Sequence, residues 1–140
     1  MGFKRLLEYV FLWLVGGSLY YTLEKLFRGF SHWSMFVLGG ICMMFFAFQG
    51  RAYGWGDALW RQIIRCAIFI TSCEFITGLI VNKYFHWSVW DYSSMPLQLF
   101  GQICFPFAIL FALLSIGGIL LSGNLLHWIF KEEKPRYNIF

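Results

Sequence analysis

The sequence predicts an all-α fold: a bundle of four transmembrane helices with short loops, forming one integral membrane domain over residues 1–140. The first observation behind this is composition. Hydrophobic residues make up 59% of the chain and charged residues 13%, against about half and about a quarter in soluble domains. So much apolar surface exceeds what one small soluble core can hide, and the bilayer takes the place of that core. The second observation is spacing. The apolar residues fall into four runs, about 6–27, 32–49, 60–82 and 97–121, each near the roughly 20 residues a helix needs to cross the hydrocarbon.

The first run follows Lys4 and Arg5, as a signal peptide would. It carries Glu8, however, and ends in "SLYYTLEK", where cleavage would need small residues, so it reads as an uncleaved span. Little more than "RGFS" leads to the second span. The third holds Arg65 and Glu74 and is the weakest by hydropathy. The longest connection, "KYFHWSVWDYSSM", has strand-like or interfacial character. Within the fourth span, Pro106 is expected to kink the helix and free the Gln102 carbonyl. The last apolar run is too long for one crossing. Gly117-Gly118 and "SGN" at 122–124 offer a break, after which "LLHWIF" is expected to lie along the interface as a C-terminal helix.

Charge placement predicts topology. With four spans, Lys4, Arg5, Arg51, Arg61, Arg65, Lys131, Lys134 and Arg136 share one side, and Lys25, Arg28 and Lys83 the other. Eight against three puts both termini in the cytoplasm. Tyr84, Trp87, Trp90 and Tyr92 form an outer aromatic belt, and Tyr53, Trp55, Trp60 and Trp128 an inner one. The net charge of +4 comes without a basic stripe, so the expected partner is the lipid bilayer and not nucleic acid. The four cysteines read as small buried hydrophobes.

Polar residues inside the spans are the candidates for function, because a charge at the bilayer centre costs roughly 2.5–3.5 kcal/mol on insertion scales. Ala67, Thr71, Glu74, Gly78 and Asn82 share one face of the third span, and small residues there let another helix approach. Trp13, Gly17, Tyr20, Glu24 and Arg28 align on the first span, His32, Phe36, Gly39 and Met43 on the second, and Gln98, Gln102, Phe105 and Ile109 on the fourth. Glu74 lies eight residues, about 12 Å, below the outer end of its helix. The expectation is an outward-facing polar cleft with Glu74 at its floor, Gln102 and Asn82 beside it, and Glu24, Arg28, His32, Asp91 and Gln98 toward the mouth.

Each residue also has an ordinary reading. Glu24 and Arg28 form an interfacial pair; His32 anchors the interface; Asp91 caps the approach to the fourth helix; Gln98 and Gln102 hold helices together. Glu74 is then a protonated acid bonded to Thr71 or Gln102. Glu8 and Arg65, near the inner ends, snorkel or pair. His32, Glu24, Glu74 and Asp91 lack the spacing of metal ligands. No Gly-rich phosphate loop or G-x-S-x-G is present, so neither metal nor cofactor is expected.

Three blocks carry a family resemblance: "RGFSHWSMFVLGGIC" (28–42), "EFITGLIVN" (74–82) and "VWDYSSMPLQLFGQICFPF" (89–107). In this order they resemble the putative ABC-transporter type IV family of small bacterial multi-pass membrane proteins. The resemblance implies recurring positions at Glu74, Gly78 and Asn82, at Trp90, Asp91 and Tyr92, and at Gly101, Gln102 and Pro106. An Asn often stands in the family where this chain has Gln98. It also implies residence in the bacterial cytoplasmic membrane and a permease-like subunit working with a separate ATPase. The expected function is that of a small transporter in which Glu74 binds a proton or cation, and a bundle this small would oligomerise or find a partner to enclose a path. The alternatives are an intramembrane enzyme acting on a lipid or prenyl headgroup, with His32, Glu74 and Asp91 as acid-base groups, and an accessory protein without a ligand.

Overall fold

The structure, a computed structural model, describes residues 2–29, 32–87, 89–132 and 135–137, the Arg28 side chain excepted. Four helices are long and apolar enough to cross a membrane. They are α1 (Phe3–Arg28), α2 (Trp33–Tyr53), α3 (Leu59–Gly78) and α4 (Phe105–Phe130), and α3 runs on into a six-residue π-helical turn, Leu79–Tyr84. The chain is therefore an all-α four-helix membrane bundle, as its composition predicts. The expected pair of Glu24 with Arg28, and most of the first loop, lie outside the described residues.

The second helix is the centre of the bundle. Of its apolar window 61% is buried, against 22% for each of the other three. It packs most closely on α1, and two pairs of glycines make that approach possible. A Cβ on Gly39 would sit 3.1 Å from the Gly16 carbonyl oxygen, and one on Gly40 would sit 2.6 Å from the Trp13 carbonyl oxygen. The two backbones touch, which is how helices associate where water supplies no hydrophobic drive.

Two expectations about the fourth span are corrected. Residues 97–104 are not helical. Gln98–Leu99 (β1) pairs antiparallel with Ile103–Cys104 (β2), in the register Gln98↔Cys104 and Leu99↔Ile103. The turn between them puts Phe100 at φ 53° and Gly101 at φ 74°, with the Gln102 N–H donating to the Leu99 carbonyl. Two positive φ values in succession are those of a type I′ hairpin turn. Pro106 consequently falls in the first turn of α4, where its missing N–H has no partner to lose, and it starts a helix instead of kinking one. The second correction concerns the C-terminal end. The helix continues unbroken to Phe130, and "LLHWIF" forms its last turns, not a separate interfacial helix.

All four cysteines are free thiols; Cys42, Cys66 and Cys104 are buried and Cys73 half-buried.

Candidate functional site: a buried carboxyl on an apolar cavity

The buried stripe of α3 is Gln62, Cys66, Ile70, Glu74 and Gly78. Glu74 is 4% exposed. Its partner is neither Thr71 nor Gln102. The side chain that faces the carboxyl is the hydroxyl of Tyr92, from the loop that precedes the hairpin, near enough for the two groups to interact. Burial, and then Glu74 beside it, raises the Tyr92 phenol above its usual value, so the hydroxyl keeps its proton and is a donor in kind. Tyr92 is held in turn by stacking on Phe107 of α4, with centroids 4.8 Å apart. Glu24 lies near enough to add to the field at Glu74, and Tyr20 lies near both.

The loop that delivers Tyr92 is locked by amides. Asn82 stands on the π-helical turn and faces inward. Its Oδ1 accepts from the backbone N–H of Val89 (2.7 Å), and its Nδ2 donates to Gln102 Oε1 (2.8 Å). The Gln102 Nε2 donates to the Phe100 carbonyl at 2.9 Å. The Gln102 carbonyl, expected to be free, accepts from the Trp90 indole Nε1 at 2.9 Å. Gly78 makes this possible, because a side chain there would collide with Gln102 Oε1. The Tyr92 N–H then donates to the Gly101 carbonyl at 2.8 Å. In this geometry Asn82 and Gln102 are committed to one another and to the loop.

The remaining candidates stand apart from Glu74. His32 caps α2, accepting from the Ser34 N–H at 3.2 Å, with its ring clustered with those of Trp33 and Trp87. Asp91 is exposed, and it does not cap α4: its Oδ1 accepts from the Ser93 N–H at 2.9 Å in a local turn, which holds its carboxyl below the usual range. Gln98 closes the hairpin through the Gly101 N–H at 2.7 Å. Among the described residues no three His, Cys, Asp or Glu side chains converge as metal ligands.

Beside Glu74 opens a cavity of about 290 Å³. Its walls come from all four helices and are almost wholly apolar: Leu19 and Leu23, Leu38 and Met43, Ile70, then Phe111 and Leu114. Tyr20 and Glu74 are the lining residues with polar oxygen-bearing side chains. Both α1 and α4, which barely touch one another, contribute to its walls. An acid on a cavity of this kind can hold the polar end of a molecule whose body is apolar.

Residues 9–139, which take in almost the whole bundle, match the family described as "Putative ABC-transporter type IV". The chain belongs to that family. Membership agrees with the resemblance carried by the three sequence blocks, two of which build the Glu74–Tyr92 contact and its amide lock. No curated protein and no solved structure matches the chain.

The residue that sequence reasoning missed at this site is Tyr92. It reads as part of an aromatic belt, and its position within the family's W-D-Y block is the one signal that singles it out.

Proposed function

We propose that the chain is the membrane-embedded, permease-like subunit of a transport system of the bacterial cytoplasmic membrane, and that its ligand is an amphiphilic organic cation taken from the bilayer. One observation carries this reading. Glu74 is a buried carboxyl that faces a phenol and, among the described residues, forms no ion pair with Lys or Arg, and it lies on an apolar cavity walled by all four helices. A carboxylate in such surroundings favours a cation that brings its own apolar cover. The family supports a role in transport, and the Lys and Arg distribution supports cytoplasmic termini, where a separate ATPase subunit would meet the end of the bundle carrying Arg51 and Arg136. The acid-base reading needs His32 and Asp91 beside Glu74. Their hydrogen bonds hold them elsewhere, and no observation favours it.

The test is a titration of the full-length chain in nanodiscs with decyltrimethylammonium, and with decanol as the uncharged comparison. Glu74→Gln is expected to weaken binding of the cation about tenfold or more, the worth of one charge-assisted contact, and to leave decanol unaffected. Gly117→Leu, which grows into the cavity from a position with free space around it, is expected to weaken both. Equal binding of the cation by Glu74→Gln and the parent chain overturns the proposal.

A further inference from the structure

At the opposite end of the bundle, where both termini lie, a second cavity of about 550 Å³ is bounded by the start of α1, the end of α2 with its following loop, the end of α4 and the C-terminal tail. Its character is the reverse of the first. Arg5, Arg51 and Arg136 line it with one acid, Glu132, while the buried Glu8 pairs with Arg51 and Arg5, so that three guanidinium groups stand against two carboxyls. Glu132 is already engaged by Lys4 (3.4 Å) and Arg51 (3.7 Å). Arg51 gives its Nη2 to Glu8 at 2.8 Å, while its Nη1 is buried without a hydrogen-bond partner among the described residues. An unmet guanidinium donor is a standing demand for an acceptor oxygen.

The third arginine is placed by a built wall. The Tyr137 hydroxyl donates to the carbonyls of Ile119 (3.2 Å) and Leu120 (3.1 Å), folding the tail back along α4. Its ring meets Trp55 edge-on at 6.0 Å. Gly123 leaves the room that this hydroxyl occupies, and Pro135 is buried beside it. Arg136 stands between these two fixed residues.

We propose that this cavity binds a phosphate-bearing anion. Guanidinium forks match phosphate oxygens two at a time, and three of them come here from three separate segments. The volume exceeds what a phosphate group alone would fill, so the ligand has a further body, which would lie against Trp55 and Leu126. The helices end at this level, where lipid headgroups stand and where soluble phosphate compounds also have access. The proposal is independent of the reading of Glu74.

The experiment uses the full-length chain in dodecyl maltoside micelles, a phosphate-free background, at constant ionic strength. Inorganic phosphate is titrated in one arm and short-chain phosphatidylglycerol in the other, with thermal unfolding and calorimetry as readouts. Saturable binding is expected in at least one arm. Binding of inorganic phosphate identifies a soluble source, and binding of the lipid alone identifies a headgroup. Arg5→Gln and Arg136→Gln, on separate segments, are each expected to lower the affinity about fivefold, the worth of one basic contact, with the unliganded melting of Arg136→Gln unchanged. Lys25→Gln, at the other end of the bundle, is expected to have no effect. Failure to bind in both arms overturns the proposal. So does affinity unchanged in both arginine variants, or a loss in Lys25→Gln equal to theirs.

Discussion

Glu8 and Glu74 are the two buried carboxyl side chains among the described residues, and their surroundings differ in kind. Glu8, near the start of α1, is reached by Arg51 at 2.8 Å and by Arg5 at 3.7 Å. Glu74, deep in α3, is met by a phenol. A buried acid with its own cations is a structural fixture, and its removal strands the cations. A buried acid that faces only a neutral group has no cation of its own among the described residues. The difference separates an acid that holds the bundle together from one that is available to something outside it.

The largest effect should follow from breaking the first half of this comparison. Glu8→Ala leaves the Arg51 guanidinium buried without its main partner and is expected to cost about 3–5 kcal/mol, read as a lowered midpoint of unfolding in mixed micelles. Glu74→Gln in the same assay should stay within about 1 kcal/mol, because the Tyr92 hydroxyl can donate to an amide oxygen as well. A loss at Glu74 as large as that at Glu8 would make both acids structural.

The amide lock is the next point of attack. Asn82→Ala strands the Gln102 side chain and the Val89 N–H together, and about 1–3 kcal/mol of stability should go with them. Hydrogen exchange should rise at Val89 and Tyr92 before it rises in α2. Uniform exchange across the chain would show that the loop is not a separate unit.

The smallest effect concerns the ion pair of Asp57 with Arg65 at 2.7 Å, at the end of the bundle that carries Glu8. Arg65 holds the Asp57 carboxyl below its ordinary 3.8. A lowered folded value means that the pair stabilises above pH 3.8 and stops doing so as the pH falls through the lower value. Asp57→Asn should therefore melt earlier than the parent at pH 7, and the two should converge at a pH well below 3.8. A gap that persists there would assign the effect to packing instead.

The four spans were legible in the sequence because hydropathy is summed over some twenty residues, so single errors wash out. The hairpin was not. "LQLFGQIC" is as apolar as a span, and apolarity alone does not tell a strand pair from a helix. The correct boundary was nevertheless written in two residues, Pro106 as a helix starter and Gly101 at a positive φ. Glu74 was found because a charge in an apolar run is conspicuous on its own. Its partner was not, because Tyr92 lies eighteen residues along the chain and reaches Glu74 only through the fold of a loop held by Asn82 and Gln102.

The glycine contact between α1 and α2 has a mechanical consequence. Helices that meet backbone to backbone move as one lever, and the glycines make α1 and α2 such a lever. Toward α4, by contrast, α1 is fastened by little: an edge-on ring pair, Phe11 with Phe130 at 5.6 Å, and the ion pair of Lys4 with Glu132. Contacts of these kinds are worth about 0.5–1.5 kcal/mol and about 0–1 kcal/mol. The bundle is thus stiff along the seam of α1 with α2 and lightly held along the seam of α1 with α4.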